Sequence, residues 1–169
     1  MTVNDYIQTN EPRFIDELCS LIRIPSISSH PEHKSDMEAC ALRWQELLLE
    51  AGADEARVMP SAGNPLVFAQ KRVADDAPTV LVYGHYDVMP AEPLELWKTN
   101  PFEPTIRDGR LWARGADDDK GQSMIQVKAF EYLQRHDLLR HNVKFILEGE
   151  EEIGSPSINA FLEEHRDLL

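Results

Sequence analysis

The sequence predicts an α/β protein, a three-layer sandwich with a mixed, largely parallel sheet. Amphipathic helices and short strands rich in Val and Leu follow one another in the order helix, helix, strands, helix, strand, helix. The chain has 169 residues, 42% of them hydrophobic, which suits one ordinary globular domain with a single core. Each element has its own local signal in the sequence.

Two helices are expected before the first strand. Asn10 and Pro12 are typical of a helix start, and apolar residues at helical spacing follow them. Ser35 and Glu38 form the pattern of a capping box, which predicts the start of the second helix. Gly52 predicts its end, because glycine is favoured just beyond the last helical turn.

Short strands are expected from there on. Three of them lie at Ala56–Met59, Leu66–Lys71 and Thr79–Gly84, with Pro or Gly between them. Asp108-Gly109 then lies between two short extended pieces within Thr105–Ala113, which is the signal for a tight hairpin.

A helix, a strand and a last helix complete the chain. Gln122–Gln134 is apolar nearly all round, which favours a helix packed on the sheet. Asn142–Glu148 alternates apolar and polar residues and predicts the next strand. Ser155 followed by Pro156 is the expected cap of the last helix.

Composition excludes several classes of function. The net charge of −13 disfavours nucleic-acid binding, which depends largely on Lys and Arg. No run of about 18 apolar residues predicts a membrane span, and the first residues lack the pattern of an export signal. Cys19 and Cys40 form no CxxC pair, so we expect two core thiols in a cytoplasmic protein.

Residues that suit metal binding follow three of the predicted strands. The clusters are His85 with Asp87, then Asp117–Asp119, then Glu150–Glu152. If these strands lie side by side, the clusters meet at the sheet edge where open α/β sheets bind ligands. Crowded carboxylates repel one another unless they share a proton or a metal, and a mixed nitrogen and oxygen set suits zinc or manganese better than calcium.

Each cluster alone has an ordinary structural explanation. A single His after a strand is more often structural than a metal ligand. Three successive Asp residues are favoured at a helix N-terminus by the helix dipole, and a run of Glu residues is typical of a solvated turn. A magnesium phosphoesterase is disfavoured by His85 and by the lack of a phosphate-cradling Gly-rich loop. The coincidence of three clusters, each flanked by Gly, favours a metal site.

Three motifs carry a resemblance to a known family. GHYDVMP, LWARGADDDKG and LEGEEEIGS resemble the N-terminal signatures of the dinuclear-zinc metallopeptidases, the family of carnosinase-type dipeptidases, aminoacylase, glutamate carboxypeptidase, and acetylornithine and succinyl-diaminopimelate deacylases. The resemblance covers about Val80–Ser155. The Pro-rich stretch before the hairpin and the DDKG pattern are most similar to the dipeptidase branch.

The resemblance implies roles for five residues. His85 would bind one metal, Asp118 would bridge both, and Glu152 would bind the second. Glu151 would be the general base, and Asp87 would hold the other ring nitrogen of His85. The expected cofactors are two Zn²⁺ ions, or Mn²⁺ or Co²⁺ in their place.

The motif register also decides between neighbouring acids. Asp117 and Asp119 compete with Asp118, and Glu150 competes with Glu151, but the family pattern favours Asp118 and Glu151. It further implies a cis peptide bond between Asp118 and Asp119.

Members of that family are longer than this chain. The resemblance implies that residues 1–169 are the N-terminal part of a catalytic domain, with the third ligand of each metal and a dimerisation or lid domain outside them. Catalytic zinc sites normally take three protein ligands. We therefore expect the 169 residues alone to bind metal weakly and not to hydrolyse peptides.

The resemblance leaves the substrate open between two amide classes. A dipeptidase or related exopeptidase is the leading hypothesis, and a deacylase of N-acyl amino acids is the alternative within the same family. A homodimer is expected for the full-length protein, and neither nucleic acid nor membrane is an expected partner. A protein that keeps the fold only for binding is disfavoured, because it would have no chemical need for Asp87 and Glu151.

Overall fold

The strands form one four-stranded sheet and one separate hairpin in residues 2–169, the part of the chain that the computed structural model describes. The strands are β1 (Glu55–Met59), β2 (Leu66–Lys71), β3 (Thr79–His85), β4 (Thr105–Arg107), β5 (Arg110–Trp112) and β6 (Asn142–Glu148). The helices are α1 (Val3–Ile22), α2 (Lys34–Glu50), α3 (Lys120–Arg135) and α4 (Ile158–Glu164). All six strands begin and end within one residue of the predicted strands or inside the predicted hairpin.

The main sheet has the order β1-β2-β6-β3. β3 and β6 are parallel, whereas β1 with β2 and β2 with β6 are antiparallel. The predicted mixed sheet is confirmed, although its parallel share among these strands is smaller than expected. His85 and Glu148 are register partners at the ends of β3 and β6, so the chain leaves both strands at the same sheet edge.

Helices cover both faces of the sheet, as the three-layer prediction requires. The larger core lies between one face and the first three helices, and Trp44 and Phe145 are among its buried residues. The smaller core lies on the opposite face, where Phe161 of α4 packs with Phe68 and Ile146. The apolar pattern of α3 is less uniform in its burial than predicted, because Ile125 is 64% exposed.

The first helix begins earlier than predicted. α1 starts at Val3, with a reciprocal capping box between Thr2 and Asp5, and it continues through Pro12. Asn10 is therefore inside the helix, where its side-chain amide donates to the carbonyl of Tyr6 at 2.8 Å. The Thr2 cap satisfies free N–H groups at the helix start, which explains why the helix extends past Pro12 towards the N-terminus.

Two other predicted caps are also wrong. Ser35 lies inside α2, because a 3₁₀ turn at Pro31–His33 leads directly into that helix. Ser155 lies before the last helix, which is capped at Ser157, and Ser155 instead adopts a left-handed φ of 52°. Gly52 has the predicted left-handed conformation after α2, with φ of 106°.

The two cysteines and the hairpin turn have the predicted structure. Cys19 and Cys40 are both free and buried, as expected of core thiols. Asp108 and Gly109 have φ of 53° and 69°, the left-handed pair that a tight hairpin turn requires. Among residues 2–169, no helix is both long enough and apolar enough to cross a bilayer.

Gly84 allows α3 to approach β3 closely. A Cβ at Gly84 would lie 2.1 Å from Oγ of Ser123 and 2.9 Å from Oδ2 of Asp119. We expect Gly84→Ala to lower the free energy of unfolding in urea by about 1–3 kcal/mol, because overpacking displaces neighbouring groups. Adding Ser123→Ala removes the closer atom and should recover part of that loss, so a double variant no more stable than Gly84→Ala would contradict this explanation.

Candidate metal centre

His85 is the central side chain of the site. It is the last residue of β3 and is 7% exposed. Its Nδ1 lies 3.1 Å from the backbone carbonyl oxygen of Asp87 and 3.3 Å from Oδ1 of Asp87. Its Nε2 lies 3.1 Å from Oδ1 of Asp118 and 3.9 Å from Oε2 of Glu151. One side of the ring is thus held by Asp87, and the other faces acidic residues.

Asp87 links the segments that follow β3 and β6. Its side chain is fully buried, and its two carboxylate oxygens accept the backbone N–H groups of Glu151 and Glu152 at 3.2 and 3.1 Å. Asp87 therefore contacts His85 and orients the 3₁₀ turn at Glu151–Ile153. The first contact follows the sequence prediction, and the second was not predicted.

The three successive Asp residues have separate partners. Asp118 contacts Nε2 of His85, while Oδ2 of Asp119 accepts the backbone N–H of His85 at 3.0 Å. Asp117 accepts from the side chain of Gln122 at 2.9 Å. The peptide bond between Asp118 and Asp119 is cis, as the resemblance implies.

The segment Asp117–Asp119 does not follow a strand of the main sheet, contrary to the prediction. It follows the β4–β5 hairpin, which is not part of the main sheet, so it is not a third neighbouring strand end. The start of α3 places it instead, because Oδ2 of Asp119 also accepts from Oγ of Ser123 at 2.7 Å. The expected convergence on one edge occurs by helix packing against β3.

Glu150 and Glu151, which follow β6, have different surroundings. Glu150 is 6% exposed, and its Oε1 accepts the backbone N–H of Asn64 at 3.3 Å. The same oxygen would lie 1.8 Å from a Cβ at Gly63, so Glu150 lies against that loop. The side chain of Glu151 is 46% exposed and near His85.

His85, Asp118 and Glu152 come together as possible metal ligands. One donor atom from each lies within 4.8 Å of the others. One imidazole nitrogen and two carboxylate oxygens fit zinc, manganese or cobalt better than calcium, which prefers oxygen alone. The fold thus brings together the three residues that the family resemblance implies as ligands.

The charges of the site are consistent with a place for a cation. Burial opposes the charged form of His85, but the hydrogen bond and charge of Asp87, with other nearby acids, raise its pKa to about 9. Burial and then the charge of Asp118 raise the pKa of Glu152 above its ordinary value. A divalent cation would offset the repulsion between these carboxylates.

Asn64 is a contributor that the sequence reasoning missed. Besides the contact with Glu150, its side-chain amide donates to the carbonyl of Gly149 at 2.9 Å. Asn64 and Pro65 lie directly before β2, which begins at Leu66 and pairs with β6. The only sequence signal for Asn64 is that a polar residue lies next to the start of a strand. Its importance depends on the pairing of β2 with β6, which the sequence does not reveal.

Comparisons with known proteins point to one family. The family model described as peptidase family M20/M25/M40 matches residues 81–168. A cysteinylglycine-S-conjugate dipeptidase of Corynebacterium striatum is 35% identical over 153 residues, which cover 90% of this chain and 34% of that protein. A Beta-Ala-His dipeptidase of Mus musculus is 33% identical over 177 residues, covering 96% of this chain and 36% of that protein.

Solved structures agree in fold. An M20 family metallo-carboxypeptidase from Sulfolobus solfataricus superposes with a TM-score of 0.85 at 34% identity, covering 91% of this chain and 34% of that one. Human carnosine dipeptidase 1 superposes with a TM-score of 0.87 at 28% identity, covering 96% of this chain and 37% of that one. This chain thus spans about a third of the length of these proteins. On the family match over residues 81–168, supported by these relatives, the chain belongs to peptidase family M20/M25/M40.

Proposed function

We propose that this chain is part of a metal-dependent peptidase that hydrolyses dipeptides or other short peptides. The observation that carries the proposal is the group formed by His85, Asp118 and Glu152, whose donor atoms lie within 4.8 Å of one another. The relatives named above are dipeptidases and a carboxypeptidase. Their names favour peptides over N-acyl amino acids as substrates.

His85, Asp118 and Glu152 would hold the metal, with Asp118 as the bridge if two ions bind. Zinc is the proposed metal, and Mn²⁺ or Co²⁺ suits the same donors. A bound metal of this kind lowers the pKa of water and polarises the carbonyl of the bond to be broken.

Glu151 is the proposed general base. It is close to His85 but is not one of the three grouped donors, so its carboxylate is free to take a proton from the attacking water. It would then pass that proton to the leaving amine. Asp87 keeps the ring of His85 in place and orients the backbone of Glu151 through the contacts described above.

Residues 1–169 are the proposed N-terminal part of the catalytic domain, which suits a chain that spans a third of its relatives. A dimerisation or lid domain would lie elsewhere in the full-length protein, for which we propose a homodimer. Two free core thiols suit the proposed cytoplasmic location. The charge of −13 supports small peptides rather than nucleic acids as partners.

Metal titration tests the proposed site directly. We expect residues 1–169 to bind Co²⁺ or Zn²⁺ weakly, measured by competition with a chromophoric chelator. His85→Ala should weaken this binding at least about tenfold, because a ligand is lost. His141→Ala is the matched control, since His141 is an exposed His outside the site. Equal affinities for the His85→Ala variant and the wild-type chain would contradict the metal assignment.

A further inference from the structure

Glu148 is a buried acid next to the site that the reaction above does not use. It is 2% exposed and lies at the end of β6 as the register partner of His85. Its Oε1 accepts two hydroxyl groups, from Tyr83 at 2.5 Å and from Ser155 at 2.9 Å. It is not one of the grouped donors near His85, and its described hydrogen bonds are to protein hydroxyl groups.

The two hydroxyl donors come from the strand that carries His85 and from the segment that carries the other site acids. Tyr83 is two residues before His85 on β3, and alternate residues of a strand share one face. Ser155 ends the segment 149–155, which leaves β6 and contains Glu151 and Glu152. Glu148 therefore joins the strand that carries His85 to the far end of the segment that carries the other acids.

The segment 149–155 is short and closes on itself. Gly154 and Ser155 both have left-handed φ values, 88° and 52°, which turn the chain back towards β6. The backbone N–H of Ser155 donates to the carbonyl of Glu150 at 2.8 Å. With Asp87 holding the N–H groups in the middle of the segment, Glu148 supplies the hold at its end.

We propose that Glu148 is a positioning residue for the metal centre, acting through Tyr83 and Ser155 to hold Glu152 at coordination distance from His85. The inference rests on the proposed metal site and adds to it a support outside the three grouped donors. Outer partners of this kind matter because a ligand that can rotate away binds metal more weakly. A buried acid that only stabilised the fold would have no such selective effect on the metal.

The test removes the two hydroxyl groups and leaves Glu148 unchanged. The double variant Tyr83→Phe with Ser155→Ala is titrated with Co²⁺, and backbone amide exchange is followed at Glu151–Ile153. We expect about tenfold weaker Co²⁺ binding and faster exchange confined to that turn. The matched control is Tyr132→Phe with Ser157→Ala, whose hydroxyl groups contact neither Glu148 nor the site, and it should bind Co²⁺ like the wild-type chain.

A second pair of variants changes the acid itself. Glu148→Gln keeps an oxygen that accepts both hydroxyl groups, so its Co²⁺ affinity should stay within about threefold of wild type, whereas Glu148→Leu should lose about tenfold. Unchanged affinity in both the double variant and Glu148→Leu would overturn the proposal. Faster exchange spread evenly over β3 and β6 would overturn it too, since that result describes general destabilisation.

The two proposals can fail separately. If a protein of the relatives' full length that carries residues 1–169 binds no Co²⁺, the metal site is refuted, while amide exchange at Glu151–Ile153 would still report whether Glu148 holds the turn. A wild-type chain that binds Co²⁺ as tightly as the double variant would refute only the role of Glu148.

Discussion

Replacing Glu151 by glutamine is expected to reduce peptide hydrolysis by about 10²–10⁴-fold, the usual contribution of a positioned general base. Glutamine has nearly the same shape but cannot take the proton from water. Metal binding should persist, because Glu151 is not among the grouped donors. The measurement is kcat/KM for a dipeptide, in a protein of the relatives' full length that carries residues 1–169, with metal content determined in parallel.

Glu150→Gln is the matched control for that experiment. It makes the same chemical change one residue away, in a side chain that contacts Asn64 rather than His85. We expect it to keep most of the hydrolytic rate. If Glu151→Gln keeps full activity, or if both substitutions reduce kcat equally, the assignment of Glu151 as the base is wrong.

Replacing Glu131 by alanine is expected to lower the free energy of unfolding by about 3–5 kcal/mol, because it removes a buried carboxylate that pairs with three cations and leaves Arg13 and Lys128 with Glu17 as their remaining partner. The side chain of Glu131 is 1% exposed and pairs with Arg13 at 2.6 Å, Lys128 at 2.9 Å and Arg135 at 3.0 Å. Its Oε1 also accepts the hydroxyl of Tyr6 at 2.8 Å. This cluster joins α1 to α3, so the loss should appear as a lower urea midpoint of the whole chain.

Glu46→Ala is the control for this effect. Glu46 pairs with Arg43 at 2.8 Å, but its side chain is 61% exposed, and such surface pairs contribute only about 0–1 kcal/mol. If Glu131→Ala and Glu46→Ala lower the free energy of unfolding by similar amounts, burial is not the reason for the effect at Glu131.

The contribution of Glu131 should also depend on pH. Burial opposes its charged form, but Arg13, Lys128 and Tyr6 outweigh burial and lower its pKa from 4.5 to about 2. Because the folded pKa is below the unfolded one, the stabilisation is complete above about pH 4.5 and is lost as the pH falls towards 2. The stability difference between wild type and Glu131→Ala should therefore shrink over that range, and a constant difference would contradict the ion-pair explanation.

Local signals predicted the strands well and the helix starts poorly. Strand positions follow from alternating apolar residues between Pro and Gly, and these signals are contained in the strands themselves. Helix starts were harder to predict because several nearby residues can cap the same helix. The first helix is capped by Thr2 and Asp5 and not by Asn10. The second begins directly after the turn at Pro31–His33 and not at Ser35. The burial of Glu131 could not be predicted, because its partner Arg13 is 118 residues away.

In the candidate site, too, the sequence indicated some residues and the fold revealed others. The sequence motifs pointed to His85, Asp118 and Glu152, whose donor atoms the fold brings within 4.8 Å. They did not indicate that the Asp cluster arrives with α3 rather than with a neighbouring strand. They also left Asn64, Tyr83 and Glu148 unassigned, since these residues act through partners that are distant in the chain.

The sequence by itself determined the α/β class, the strand positions and the residue types that suit a metal, because periodicity, turn residues and donor chemistry are local properties. The family resemblance favoured Asp118 and Glu151 among their neighbours, but only the tertiary structure shows which contacts distinguish these acids from the others. Neighbouring Asp and Glu residues are chemically equivalent in an extended chain. They become different in the folded protein because each has its own contacts. Glu150 contacts the loop at Gly63 and Asn64. Asp119 accepts the backbone N–H of His85, and Asp118 contacts the imidazole of His85.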